Sequence, residues 1–503
     1  MSGSSRQSVL SIAIAAIMLS SIASVFVVTV YLTPPEELFN KGMEEFEEGN
    51  FGTASRLFDR SYRGYLSSGH LESAQEALNM RLRSDRVLME FSLDRTHAES
   101  SLAKMYPWIA EDVRNSWLDN SSIEKIVSDG RELFFYDVGI NLAFRNLTLY
   151  HELKDGKGVD LFKDLMPPIL EASRNATTTY FNPINYTAHG TLTLQRNELP
   201  RTGTLSVWVP APINTASQRE VTVGSVSPAA LVKTMPSPDS DIGQAYLEIP
   251  LEDWHEDVVV EVSYSFTSYQ KRFVVDPDNV GEYDRSSAEY QTYTASHDNI
   301  LITPEIVAEA RAVVGDETNP YLQAKLIYDY VVGNITYSYT PHVSLCARGI
   351  AESEYVRTHR YGDCGAQSMY YSALMRSLGV PARADGGFQM FGDGTGSHFW
   401  AEFLLPNYGW VPVDVTAADG MDWIWLSDAT HEERAQYKQF FFGNLDPYRY
   451  VIQNDVDEPL DPLCGMPMPL AAAFQNPTAS CDTSDQDVPV LAMMGWDFKI
   501  TRA

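Results

Sequence analysis

Three short segments hold residues whose types and spacing suit nucleophilic chemistry. Cys364 lies in Tyr361-Gly362-Asp363-Cys364-Gly365-Ala366-Gln367-Ser368, which runs into the apolar, helix-like stretch Met369 to Leu378. Gly379-Val380-Pro381-Ala382-Arg383 then stops that helix and enters a strand. A cysteine at a helix start faces the positive end of the helix dipole and backbone N–H groups without intrahelical partners. Both favour the thiolate, the nucleophilic form, and the same N–H groups suit a tetrahedral oxyanion. His398 follows 34 residues later in Gly396-Ser397-His398-Phe399-Trp400-Ala401-Glu402-Phe403, and Asp414 closes Gly409-Trp410-Val411-Pro412-Val413-Asp414, 16 residues beyond it. These two segments read as neighbouring antiparallel strands turning at Pro406-Asn407-Tyr408-Gly409. On adjacent strands a carboxylate can orient an imidazole and support its protonated form, which completes the Cys–His–Asp logic of an activated nucleophile. A lone cysteine is usually a small buried hydrophobe and a lone His–Asp pair is usually structural. Joint occurrence in these contexts favours chemistry.

Other constellations carry less. His342, Cys346, His359 and Cys364 are separated by three, twelve and four residues, which fits no standard zinc pattern. Gly392-Asp393-Gly394-Thr395-Gly396 lacks the ligand sequence of a calcium loop and reads as a hairpin tip. No metal and no cofactor are predicted. Cys464 and Cys481 have 16 residues between them, and in an oxidising compartment a disulfide would staple the tail. The competing reading is two reduced thiols, and Cys346 stays unpaired either way.

The elements that must position these residues emerge from a pass along the chain. Its 503 residues correspond to about three domains. With 44% apolar and 21% charged residues it is a folded globular chain. The balance of 37 basic against 67 acidic residues, a net of -30, disfavours a nucleic-acid partner. Ser8–Leu32 is an uncharged run of 25 residues, long enough to span a hydrocarbon core of about 30 Å. It reads as an uncleaved single-pass membrane anchor, with a cleaved signal as the alternative. Arg6 precedes it and Glu36 and Glu37 follow, so residues 1–7 form a cytoplasmic stub and the bulk of the chain lies outside the cytoplasm. N-x-S/T triplets at Asn120, Asn146, Asn175, Asn185 and Asn334 are consistent with that side.

Residues 34–180 read as a helical domain, including Ile123 to Phe135 and Val159 to Leu170. In its first part Gly42, Gly49-Asn50-Phe51, Ala54 and Phe58 resemble a tetratricopeptide repeat. The second unit comes 20 rather than 34 residues later, which favours a small helical hairpin used for spacing or for docking a protein partner. Residues 181–275 alternate in short strands, as in a small β-sandwich. Residues 276–450 contain the Cys, His and Asp segments. Residues 451–503 read as an acidic, Pro-rich, loop-dominated tail, with no Lys or Arg between Arg449 and Lys499.

The segments around Cys364, His398 and Asp414 resemble the transglutaminase-like superfamily. The resemblance rests on Gly362-Asp363-Cys364 with its helix, Val380-Pro381-Ala382-Arg383, Ser397 to Glu402, and Gly409 to Thr416. It extends back to the helix at Lys325 to Val332 and to Ile335-Thr336-Tyr337, roughly residues 300 to 420. It implies a papain-like core, so the whole chain is expected to be multidomain α+β. It also implies Cys364 as nucleophile, His398 as base and acid, and Asp414 as orienter. The family often draws oxyanion support from a side chain upstream of the cysteine; Tyr337 and Tyr339 are the candidates, and either is equally a packed strand aromatic. The implied activity is acyl transfer or hydrolysis on amides of proteins or cell-envelope peptides. The alternative is a catalytically silent transglutaminase fold serving as a binding scaffold at the cell surface.

Overall fold

The computed structural model describes residues 33–120, 123–153, 161–391, 394–423, 429–464 and 473–503. Ser8–Leu32 lies outside the described residues, and among those described no helix is long and apolar enough to cross a membrane. Within them the chain forms two compact units, one of residues 33–85 with Val127–Arg131, the other of the described residues from Arg86 to Ile126 and from Glu132 to Ala503.

In the first unit, helices α1 (Pro35–Glu47) and α2 (Phe51–Ser67) form a hairpin. The spacing of small residues has a direct cause there. A Cβ at Gly42 would lie 2.7 Å from the Phe58 ring, and Ala54 and Phe58 are fully buried. Ser128 and Asp129 belong to this unit, and their side chains accept from the N–H groups of Phe51 (2.9 Å) and Thr53 (3.1 Å) at the start of α2.

Ile123 to Phe135, expected to be helical, is a β-hairpin of β1 (Lys125–Ser128) and β2 (Arg131–Phe134). Asp129 and Gly130 have φ of 52° and 73°. Two successive positive φ values make the tight turn that matches strand twist, and Asp-Gly is a sequence pair suited to it. β2 also pairs with Leu93–Asp94, so the expected helical domain contains a small sheet. The helix expected at Val159 to Leu170 runs over Leu161–Asn175, and α3 (Val138–Phe144) precedes it.

In the second unit the sandwich strands are β3 (Tyr180–Leu194), β4 (Thr204–Pro210), β5 (Gln218–Ser227), β6 (Val232–Thr234), β7 (Gln244–Pro250) and β8 (Val258–Arg272). The next helices are α4 (Pro320–Asn334), α5 (His342–Arg348), α6 (Glu352–His359) and α7 (Cys364–Ser377). A second sheet follows, with β9 (Ala382–Gln389), β10 (Gly396–Leu405), β11 (Gly409–Val413) and β12 (Arg449–Gln453) in the order β11-β10-β9-β12, and α8 (Val415–Trp423) follows β11.

The tail is not a loop-dominated extension. Its strand β13 (Thr478–Cys481) pairs with β4, and β14 (Trp496–Arg502) pairs with β3, completing both sandwich sheets. The physical reason is edge satisfaction: each tail strand supplies the ladder bonds that an exposed edge lacks. Sandwich residues such as Trp208 and Phe266 share one buried cluster with Tyr370 and Trp400. Lys271 at the end of β8 donates to Glu402 of β10 at 2.5 Å, both buried. Residues 181–275, 276–450 and 451–503, expected as separate regions, thus fold around a common core.

β9 and β10 are held in a register that sets Gly387 opposite His398. A Cβ at Gly387 would lie 1.7 Å from the Tyr450 carbonyl oxygen of β12. Gly387→Ala is therefore expected to lower stability by about 3 kcal/mol or more, because backbone rather than a flexible side chain must move. Chemical denaturation of the variant checks this; an unchanged midpoint would contradict the close packing of β12 on β9.

Candidate active site

The two-residue strand Thr336–Tyr337 pairs in parallel with Tyr361–Gly362, so Tyr337 stands beside Gly362, two residues before Cys364. Cys364 is the first residue of α7 and is half-buried. The N–H groups of Phe399 and Gly365 lie within electrostatic reach of its sulfur, which sets the thiol near the peptide that follows His398. His398 is buried on β10, and its Nε2 is 2.8 Å from Asp414 Oδ2. The carboxylate engages Nε2 and leaves Nδ1 as the ring nitrogen it does not hold.

Asp414 follows β11 and is fully buried. Its Oδ1 accepts from the Ala417 N–H in the first turn of α8 at 2.8 Å. Its Oδ2 is shared between His398 and Arg449, the latter at 2.7 Å. Burial pushes this carboxyl up, but His398, Arg449 and the Ala417 N–H outweigh burial and hold it well below the usual carboxylate range. Arg449, itself bonded to Asp446, is a site residue that sequence reasoning missed. It lies on β12, which only the sheet order brings to Asp414.

The thiol departs from the expectation of a helix-start thiolate. Burial and then the Asp363 charge push Cys364 up, against the smaller effect of the Phe399 and Gly365 N–H groups. The reason lies in the cap. Asp363 Oδ1 accepts from the N–H groups of Gly365 (3.1 Å) and Ala366 (3.2 Å), so two groups expected to face the sulfur or an oxyanion already hold a carboxylate. The Cys364 N–H is not among those taken. Burial and the Asp363 carboxylate thus both work against a thiolate at this helix start.

Both tyrosine candidates lie within electrostatic reach of Cys364. Burial chiefly, then the nearby sulfur and Asp363, raise Tyr337 well above the usual phenol range, so it is a donor. Tyr339 is more exposed and is fixed through its backbone: Asn141 of α3 donates to its carbonyl (2.9 Å) and accepts from its N–H (2.8 Å). The Phe144 ring packs edge-on against both tyrosines, with centroids at 5.0 and 5.3 Å. These α3 contacts, too, carry no signal in the sequence.

The other candidates separate. His342 bonds two carboxylates, Glu352 and Asp363, at 2.6 Å each. Among the described residues no group of His, Cys, Asp and Glu is arranged to hold a metal ion. Cys464 and Cys481 are both free thiols, so the expected disulfide is not formed. Cys481 on β13 instead lies 3.5 Å from the Thr483 hydroxyl. The tail reaches the site at another point: Gln475 Nε2 donates to the carbonyls of Gly387 (2.6 Å) and His398 (3.3 Å).

Residues 308–415 match the core of the transglutaminase-like superfamily. Over those residues the chain carries a transglutaminase-like core. An uncharacterized protein of Haemophilus influenzae is 28% identical over 156 residues, 27% of this chain. The chain spans only 42% of the length of that curated relative. Among solved structures, a candidate cysteine protease from Cytophaga hutchinsonii is 14% identical, with a TM-score of 0.40 over 64% of this chain and 92% of that one. The periplasmic domain of TgpA from Pseudomonas aeruginosa is 15% identical, with a TM-score of 0.25 over 54% of this chain and 96% of that one.

Proposed function

We propose that this protein is a thiol acyltransferase or amidase acting on amides of proteins or cell-envelope peptides, with Cys364 as nucleophile, His398 as general base and acid, and Asp414 as orienter. The observation that carries this reading is the His398–Asp414 bond at 2.8 Å, on a strand whose next peptide N–H lies within electrostatic reach of the Cys364 sulfur. His398 Nδ1 takes the thiol proton as sulfur attacks the amide carbonyl. The tetrahedral oxyanion takes the Cys364 N–H and the Tyr337 hydroxyl as donors. As the C–N bond breaks, the imidazolium gives its proton to the departing amine and a thioester remains. An incoming amine or water then loses a proton to His398, adds to the thioester and releases the thiol. In this reading Ser8–Leu32 anchors the chain, its uncharged length being the support, and the bulk of the protein works outside the cytoplasm.

Incubation of the protein with a glutamine-containing peptide and a labelled amine tests the reaction. Amine incorporation, with ammonia released, identifies acyl transfer; ammonia release alone or a cut backbone identifies hydrolysis. If none of these products exceeds the level given by Cys364→Ala across a panel of envelope peptides, the enzymatic reading is refuted.

A further inference from the structure

The residue before the nucleophile is bonded on both carboxylate oxygens. Asp363 Oδ1 spans the first turn of α7 through Gly365 and Ala366, and Oδ2 lies 2.6 Å from His342 Nε2. The other ring nitrogen of His342, Nδ1, lies 2.6 Å from Glu352 Oε1. Glu352 is buried, and its second oxygen has no partner, so the chain ends there. With a carboxylate on each ring nitrogen, both nitrogens must donate, which requires the imidazolium form. Two carboxylates so placed are tolerated in the interior only with a cation between them.

We propose that Glu352–His342–Asp363 is a positioning relay for Cys364, in which the His342 cation fixes the Asp363 carboxylate across the first turn of α7 and offsets the charge that Asp363 sets against a thiolate. This inference rests on Cys364 being the nucleophile. His342 touches neither substrate nor sulfur; it acts through Asp363.

The surroundings agree in sign. Burial alone would strip the His342 proton, but Asp363 and Glu352 outweigh it and hold the ring well above the usual imidazole range. A third carboxyl, Glu90, also faces His342 and accepts from the N–H groups of Val343 (3.2 Å) and Ser344 (2.7 Å) at the start of α5. Burial pushes Glu90 up to about 7, so it adds little negative charge below neutrality. Cys364 itself is faced by Asp363, Asp414, Tyr337 and Tyr339. Among these charges Asp363 acts most strongly on the thiol, and Asp363 is the group that His342 holds.

The test is the rate of Cys364 alkylation by iodoacetamide against pH, with the label located by peptide mapping and Cys364→Ser as the control for site assignment. It needs no turnover, so it reads the relay even where no amide substrate is found; failure of acyl transfer and failure of the relay are therefore distinguishable. His342→Gln, which removes the cation, is expected to move the midpoint up by about one unit and to slow labelling near neutral pH about tenfold. Glu352→Gln, which removes a negative charge and leaves His342 paired with Asp363, is expected to move it down. Opposite signs are a result that simple loosening of the fold does not produce. Superimposable curves, or two shifts in the same direction, overturn the proposal. A melting curve establishes that each variant is folded. Should His342→Gln fail to fold, Glu352→Gln decides alone: a downward shift supports the relay, and an unchanged or upward midpoint overturns it.

Discussion

Cys364→Ala is expected to reduce amide acyl transfer to the uncatalysed background, and His398→Ala to reduce it by about three orders of magnitude or more. Both figures follow from the single proton route at this site. The thiol is pushed up by burial and by Asp363, so no large standing thiolate population sustains the reaction once the base is gone. Removing both groups is expected to cost little more than removing either, since they act as a unit. Cys364 is half-buried, and its replacement by Ala removes one atom, so the melting temperature is expected to change little. His398 is buried and bonded to Asp414, so its loss costs stability as well. Steady-state product formation alongside a melting curve separates the two effects. Residual activity in Cys364→Ala above one part in a hundred would show that another group carries the reaction.

Asp414→Asn is the second large effect. The carboxylate holds Nε2 of His398 and at the same oxygen meets Arg449. An amide keeps the shape and loses the charge, and its NH2 group can present a donor where an acceptor is needed. Turnover is expected to fall by about 10³-fold through loss of ring orientation and of support for the imidazolium. Stability changes with a definite sign. The folded Asp414 carboxyl lies well below the ordinary 3.8, because His398 and Arg449 outweigh burial. The unfolded chain therefore binds a proton there before the folded one does, as pH falls through the ordinary carboxylate range. The stabilisation is present above that range and is lost toward acid. Asp414→Asn should be less stable near neutrality and should lose less on acidification. Denaturant midpoints from neutral pH down to the acid limb check this; parallel curves for the two proteins would contradict a depressed Asp414.

How much of this was legible depends on the range of each interaction. The helix start at Cys364, the strands bearing His398 and Asp414, and the turn between them are written in local sequence. Their cause is local: an Asp N-cap before an apolar run, and alternating residues on either side of a Pro-Asn-Tyr-Gly turn. The helical hairpin at the beginning was legible for the same reason, since Gly42 and Phe58 face each other at fixed helical offsets. Two misreadings had visible signals. Asp129-Gly130 is a hairpin turn pair, and Trp496, Phe498 and Ile500 alternate with polar residues as a strand should. In the tail, composition outweighed that pattern.

What the sequence by itself determined is the chemistry on offer, one cysteine at a helix start and a His–Asp pair on adjacent strands. Only the tertiary structure decided how that chemistry is tuned. Arg449 reaches Asp414 from β12, Gln475 reaches the His398 carbonyl from the tail, and His342 of α5 bonds Asp363 with Glu352 of α6 behind it. Charges in a buried site act through space over a few ångströms and are weakened little by solvent. Partners distant in the chain therefore set the charges around the thiol and around Asp414, and no spacing in the sequence encodes those distances.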